Sequence, residues 1–407
     1  MKDNRGHILC VPMREDFRNH SFLAEVYSAI LPSRGWKVTW YLEDLAPGEG
    51  AKESEWNGAR VLSFPRLPDR RNSLKSPFSG KYPLRELLKT GEYDILQIRN
   101  YWRAAQACRK TCRESGIPLV FQRSFPRENY FIQDVAARNI SLKTLRRIKL
   151  RMEKKSAYRE IGLCDWIFPI SDSMKEEMAA AGLPPEKMTP VPLGFNCGLK
   201  PGDVDGDPIR KELGLEDRPA ALYFGSMEPQ RRLDVTLRAF AAAAKEVPGV
   251  ALLMLGGDGS PESKKELETQ AEQLGLQGKT IFLKQVPREA VFRYIRAADF
   301  TLSIIPDTPS YRVSSPTKVA ESLGMGKPVL VSELPEQARM IRESGAGLRV
   351  PFDETAAAAA MARLFRDREG CAKMGTRGRA YMEQHRDYNK IADTIETIYD
   401  NLRHVKK

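Results

Sequence analysis

Between Ser314 and Ser332 the sequence reads SSPTKVAESLGMGKPVLVS. Ser315 is of a type that caps helices, and Pro316 suits a first helical position, where its missing N–H costs nothing. The N–H groups that follow, at Thr317 and Lys318, then lack partners inside the helix, and the helix dipole adds positive potential at that end. Lys318 puts a full charge in the same place, an arrangement that a bound phosphate stabilises. Glu321, one turn further on the face of Thr317, is poorly placed for a phosphate. It is suited to accept hydrogen bonds from sugar hydroxyls, as acidic residues do from ribose in dinucleotide folds. Taken by itself, an exposed i,i+3 ion pair between Lys318 and Glu321 explains the two residues equally well.

A second group of anion-binding candidates lies in FGSMEPQRRLDV. Gly225 permits a tight turn at the end of an apolar run, Ser226 follows it, and Arg231 and Arg232 offer forked donors just before the next helical pattern. The turn GGDGS at 256–260 has the composition of a phosphate loop, but a lone Gly-rich turn is weak evidence. Six cysteines (Cys10, Cys108, Cys112, Cys164, Cys197, Cys371) and four histidines (His7, His20, His385, His404) are scattered, without a CxxC pair. Free thiols in a reducing compartment and no metal site are expected. The acidic DVDGD at 203–207 falls in a Gly- and Pro-rich linker and reads as solvated loop.

The elements that must position these residues alternate. HILCVPM, KVTWYL, YDILQIR, IPLVFQRS and CDWIFPIS read as strands separated by helical patterns. One helix covers the 103–115 region, and another, DSMKEEMAAAG, begins at an acidic cap; MTPVPLGF reads as a short final strand. After NCGLKPGDVDGDP the same plan restarts with PAALYFGS, VALLMLGG, TIFLKQV, DFTLSIIP, PVLVS and GLRVPF, again with helices between. Alternation of this kind predicts an α/β fold of two Rossmann-like, doubly wound parallel sheets facing a cleft. The length of 407 residues fits two such cores.

The net charge of +12 is unevenly spread. Residues 1–200 carry 34 Lys and Arg against 23 Asp and Glu, whereas residues 201–407 carry 31 against 30. An anionic partner for the first half is implied. Nine of its basic residues fall between Arg138 and Arg159 with one acid, Glu153, while Leu145, Ile148 and Met152 repeat at helical spacing. This basic amphipathic helix either lies on an anionic bilayer or packs its apolar stripe on the domain. The absence of aromatic residues interleaved with the charges argues against nucleic acid. No run of about 18 apolar residues and no signal-peptide core is seen, so a cytoplasmic protein, peripheral on the inner face of the cell membrane, is expected.

From YFGSMEPQRRLDVTLRAF through QVPREAVFRYIRAADFTLSIIP and SPTKVAESLGMGKPVLVS, the sequence resembles the retaining glycosyltransferases of family 4 (glycosyl transferases group 1), which have the GT-B fold. CDWIFPISDSMKEEMAAAGLPPEKMTPVPLGF is similar to the segment that leads into that family's linker. The resemblance implies an acceptor-binding domain over 1–198, a donor-binding domain over 199–384, and a C-terminal helix over 385–407 that packs back on the first domain. It implies a nucleoside-diphosphate sugar of UDP or GDP type as donor, no other cofactor, no divalent cation and retention of configuration. By the same resemblance Arg231 and Lys318 are catalytic and Glu321 binds ribose. Ser315, Pro316, Thr317 and Lys318 hold the diphosphate and sugar, Gly225, Ser226 and Arg232 line the donor site, and Val286 touches the base. Two positions depart from the family: Val313 stands where the first Glu of its motif is expected, and Ser226 where an Arg is frequent. On the acceptor side the candidates are Arg18, Asn19, His20 and Arg123, the last beside Ser124 where the family has His. REDFRNH replaces an expected Gly-rich loop. A cell-envelope glycan or lipid-linked acceptor, and a role in polysaccharide biosynthesis, fit this reading. The alternatives are a GT-B nucleotide-sugar isomerase or phosphorylase, and a nucleotide-sugar-binding homologue without turnover.

Overall fold

The computed structural model describes residues 5–12, 17–46, 49–65, 83–131, 143–256 and 261–404. They form two compact units, Met1–Pro192 with Tyr388–Lys407, and Leu193–Asp387. The division thus falls at 192/193 and 387/388 rather than at 198/199 and 384/385.

The first unit is built on a seven-stranded sheet of order β3-β4-β2-β1-β5-β6-β7. Its strands are β1 (Gly6–Pro12), β2 (Trp36–Leu45), β3 (Lys52–Trp56), β4 (Ala59–Pro65), β5 (Ile95–Arg99), β6 (Leu119–Arg123) and β7 (Trp166–Pro169). All neighbours are parallel except β3 and β4, a hairpin joined at Asn57 and Gly58, both with positive φ. The central strands β5 and β6 are buried along their whole length, as parallel strands covered on both faces must be. The edge strand β3, KESEW, is exposed and charged, which blunts it against further pairing. MTPVPLGF is not a strand. Its Thr189 and Val191 N–H groups reach the Ile167 and Pro169 carbonyls of β7, but Pro190 and Pro192 interrupt it and only two isolated bridges, Met188 to Ile167 and Phe195 to Asp387, remain. The helix after β7 is Asp172–Ala180, and its cap is Ser171 rather than an acid: the Ser171 hydroxyl accepts from the Met174 N–H at 3.0 Å.

The second unit carries a six-stranded, wholly parallel sheet of order β10-β9-β8-β11-β12-β13. The strands are β8 (Ala220–Phe224), β9 (Ala251–Leu255), β10 (Thr280–Leu283), β11 (Phe300–Ser303), β12 (Val329–Ser332) and β13 (Gly347–Val350). The chain runs outward from β8 to β10, then returns to β11 on the other side of β8. The strand order therefore reverses between β8 and β11, and in open α/β sheets the carboxyl ends at such a reversal form the ligand-binding crevice. Gly225 follows β8, and the Ser314–Ser332 segment follows β11. Two apolar clusters sandwich this sheet, one around Phe240, Met361 and Phe365, the other around Phe195, Val319, Leu323 and Met340.

Candidate active site

After β11 and a single helical turn, Pro309–Arg312, comes the helix Thr317–Gly324, one residue shorter at its start than the sequence suggests. Pro316 is the flanking residue, and Ser315 does not cap the helix: its hydroxyl accepts from the Leu193 N–H at 3.0 Å. The orphan N–H groups at the helix start are thus left without a side-chain cap. Val319, Ala320 and Leu323 are buried in the apolar cluster and fix the roll of the helix. That roll turns Lys318 and Glu321 toward neighbouring strand ends, so they are no surface ion pair.

Lys318 crosses over the carboxyl end of β8. Its Nζ donates to the Tyr223 hydroxyl at 3.0 Å and lies 4.1 Å from the centre of the Tyr223 ring. Tyr223 in turn donates to the Ser226 carbonyl. Gly225 makes the crossing possible, since a Cβ there would meet Lys318 Cε at 2.7 Å and Nζ at 3.1 Å, and its φ of +119° suits glycine. Burial, reinforced by the charge of Arg231, holds the Lys318 ammonium well below the usual lysine range. Arg231 itself stacks on Tyr311 at 4.8 Å, and its Nε is buried without a hydrogen-bond partner. Two cations and a helix N-terminus therefore converge where, among the described residues, no carboxylate balances them at hydrogen-bond distance, an arrangement that suits an anion.

Glu321 is buried, with 7% of its surface exposed. Arg288, the first residue of the helix Arg288–Ala297, donates to its Oε1 at 3.3 Å. Burial raises the Glu321 carboxyl above its ordinary range, opposed by Arg288 and Lys318. Val286 packs against the same apolar cluster, just ahead of Arg288. Arg232 does not join the group: it is exposed, sits in the left-handed region at φ 52°, and its guanidinium is held in a fork by Asp234 at 2.9 Å. Val313 is buried. Tyr223, Arg288 and Tyr311 are additions that the sequence reading missed. Of these, Arg288 carried a visible signal as a cation at a helix start five residues after β10, whereas Tyr223 lies inside an apolar run and carried none.

In the first unit the candidates separate. Arg123 is 2% exposed, donates from one terminal nitrogen to Glu128 at 2.6 Å and lies 4.9 Å from the Tyr158 ring, so its charge is held in a buried ion pair while its Nε is left without a hydrogen-bond partner. Ser124 and Phe125 donate their N–H groups to Asn100 Oδ1, and Asn100 Nδ2 donates to Ser124 Oγ at 2.7 Å. Arg99 donates to Nε2 of His20 at 2.8 Å, which makes that nitrogen the acceptor of a neutral ring. Arg18 is exposed and lies 5.1 Å from the Phe17 ring. The Asn19 side chain, the first three residues of REDFRNH (14–16), residues 257–260 of GGDGS and the start of the basic segment (138–142) lie outside the described residues. At the carboxyl ends of β5 and β6 a cavity of about 130 Å³ is lined by Trp102, Arg103, Arg127, Phe131, Leu150 and Glu153, among others.

The basic helix is Lys143–Ile161. One side of it is tied to the unit by Glu153 with Arg103 at 3.2 Å, Lys154 with Glu177 at 2.6 Å, and Glu160 with Arg109. The apolar stripe faces away: Leu145, Ile148 and Met152 are 61%, 46% and 66% exposed. Arg146, Lys149, Arg151 and Lys155 are exposed beside them. Among the described residues no helix is long and apolar enough to cross a membrane.

Two family models match the chain, Glycosyltransferase Family 4 over residues 28–199 and Glycosyl transferases group 1 over residues 205–381. A D-inositol 3-phosphate glycosyltransferase of Nocardia farcinica is 32% identical over 206 residues, 48% of this chain and 44% of that protein. A GDP-mannose-dependent alpha-(1-6)-phosphatidylinositol monomannoside mannosyltransferase of Mycolicibacterium smegmatis is 26% identical over 147 residues, 36% of this chain and 38% of that protein. The chain spans less than two thirds of the length of these curated relatives. Among solved structures, a sucrose-phosphate synthase from Thermosynechococcus elongatus superposes with a TM-score of 0.74 at 18% identity, over 98% of this chain and all of that one. Alr3699/HepE of Anabaena, in complex with UDP, does so with a TM-score of 0.68 at 17% identity, over 97% and 99%. At these identities the likeness concerns the fold.

Proposed function

The chain belongs to the group-1, family-4 glycosyltransferases of GT-B fold, and from that premise we propose that it transfers a sugar from a nucleoside-diphosphate sugar to a hydroxyl acceptor, with retention and without a metal ion. One observation carries the proposal: Arg231, Lys318 and the uncapped start of the Thr317–Gly324 helix converge beside the buried Glu321. In this reading the diphosphate lies against the helix start, Lys318 and Arg231, and Glu321 accepts from the ribose hydroxyls. When the sugar C1–O bond breaks, its electron pair passes to the diphosphate. Arg231, Lys318 and the N–H groups stabilise that growing charge in place and need no reorganisation to do so. The complexes of Alr3699/HepE with UDP and with UDP-glucose support a uridine donor.

For the acceptor, the names of the sequence relatives point to phosphorylated or phosphatidyl inositol compounds. The surplus of basic residues in the first half and the aromatic and basic lining of the Trp102–Phe131 cavity favour a phosphorylated or lipid-linked acceptor of the same kind. The outward apolar stripe of the Lys143–Ile161 helix, flanked by exposed Arg and Lys, supports docking on an anionic bilayer at the inner face of the cell membrane. The test is release of nucleoside diphosphate from a panel of labelled UDP- and GDP-sugars. Arg231→Ala and Lys318→Gln are each expected to lower turnover about a hundredfold or more, the cost of removing one preorganised charge-stabilising donor. Turnover that survives both changes sinks the reading; interconversion of the sugar without release of nucleoside diphosphate favours an isomerase.

A further inference from the structure

The parallel sheet of the second unit has a second edge, at the amino ends of its strands, opposite the site of Lys318 and Glu321. A cavity of about 520 Å³ lies there, lined by Arg296, Asp299, Lys327, Arg368, Cys371 and Arg379, among others. Four cations face one carboxylate. That carboxylate is already engaged: Asp299 accepts from the Ala220 N–H at 2.8 Å and from Arg368 Nε at 3.0 Å, with Arg210 at 3.8 Å. Arg379 is engaged too, by Glu383 and by the carbonyls of Cys197, Leu199 and Gly324.

The other two cations are not balanced. Among the described residues the Lys327 side chain has no hydrogen-bond or ion-pair partner, and Arg296 reaches only the Met325 carbonyl, at 3.4 Å, while its Nε is buried unpaired. Burial, with Arg296 adding to it, pulls the Lys327 ammonium down to about 8. Arg296 Nε is a desolvated donor without an acceptor, and the partly desolvated Lys327 ammonium beside it has no carboxylate at hydrogen-bond distance, so an incoming dianion offers both groups an acceptor at once. We propose that this cavity binds a small phosphate ester, its phosphate held by Lys327, Arg296 and Arg368 and its uncharged part filling the remaining volume. The volume matches small-molecule sites of about 300–1,000 Å³ and exceeds what a bare phosphate fills. Cys371, buried at 2% exposure with its thiol pushed up to about 12, takes part as a wall and not as a nucleophile.

Calorimetric titration of the full chain with glucose 6-phosphate, inorganic phosphate and glucose tests this. Glucose 6-phosphate is expected to bind the unaltered chain and the donor-site variant Lys318→Gln alike. It should lose about tenfold or more in affinity in Lys327→Gln, and several-fold in Arg368→Gln, as expected when a charge-assisted hydrogen bond is removed. Glucose should not bind. Tighter binding of glucose 6-phosphate than of phosphate assigns the site to a sugar phosphate, and equal binding assigns it to the free ion. Absence of binding at about 10 mM, an affinity weaker than about −3 kcal/mol, overturns the proposal. So does affinity that survives both Lys327→Gln and Arg368→Gln, or that disappears in Lys318→Gln. Because the Arg368 side chain is half exposed, Arg368→Gln keeps the test open should Lys327→Gln fail to fold.

Discussion

Lys318 is held under conditions that suit a ligand better than they suit the empty fold. Its ammonium is buried, faces the charge of Arg231 and has a tyrosine hydroxyl as its hydrogen-bond partner. Its folded-state proton affinity therefore lies below that of the unfolded chain. Between those two values the unfolded chain binds more protons, so this residue's penalty is full at low pH and fades as pH rises through the folded value toward the unfolded one. Donor binding has the opposite sign, because a diphosphate favours the charged ammonium. The donor dissociation constant should rise with pH as Lys318 loses its proton, and calorimetry in buffers of different ionisation heat should record proton uptake on binding. Lys318→Met, which keeps most of the stem and drops the charge, should flatten that pH dependence and weaken the donor. It should also stabilise the empty protein by about 1 kcal/mol, a rise of a few degrees in Tm. A fall in Tm would mean that the contact with Tyr223 outweighs the buried charge.

At the scale of elements, two features decide where chemistry can occur. The first is the turn after β8, where Gly225 leaves room for Lys318. Gly225→Ala should fold, because the atoms in its way are the far end of a flexible side chain, yet it should displace Lys318 and weaken donor binding by about tenfold or more, with a stability cost of about 1–3 kcal/mol from the positive φ. Circular dichroism and donor titration separate those two effects. The second is the Lys143–Ile161 helix. Ile148→Glu with Met152→Glu should change the stability by no more than about 0.5 kcal/mol, since both residues are exposed, while abolishing co-sedimentation with anionic vesicles at low salt. Vesicle binding that survives would show that the charges act without the stripe. Much of the fold was legible in the sequence: the alternating apolar runs gave the two sheets, and SSPTKVAES placed Lys318 and Glu321 on one short helix, although Ser315 does not cap it and Pro316 only flanks it. The hairpin of β3 and β4 was missed although Asn57-Gly58 is a strong turn signal, because KESEW lacks the apolar residues that mark a buried strand. MTPVPLGF was misread for the converse reason: its apolar content is strand-like, but its prolines break the ladder. The fate of Arg123 and Arg232 was not legible, since only the fold brings Glu128 and Asp234 against their guanidinium groups.

At the scale of the whole molecule, the last helix closes a unit that the first residues opened. Tyr388–His404 belongs to the first unit, and its Ile395 and Tyr399 are fully buried there. Its Glu396, 6% exposed, accepts from Trp36 Nε1 at 3.0 Å, from Arg5 at 2.8 Å and from Arg34 at 2.6 Å. One carboxylate thus satisfies three donors that arrive some 360 to 390 residues earlier in the chain, so the first unit is incomplete until the Tyr388–His404 helix has been made. Two consequences follow for a protein whose proposed donor site lies wholly in the other unit. Glu396→Ala leaves a buried indole N–H and two cations without their acceptor, which should cost the first unit about 3 kcal/mol and lower its unfolding transition. Donor affinity, which depends on Lys318, Arg231 and Glu321, should stay within about twofold, because groups without shared partners behave additively. Calorimetric melting with a donor titration of the same variant measures both. Loss of donor affinity in parallel with the lowered transition would show instead that the two units are energetically one, and that the last helix stabilises the donor site as much as the sheet it packs on.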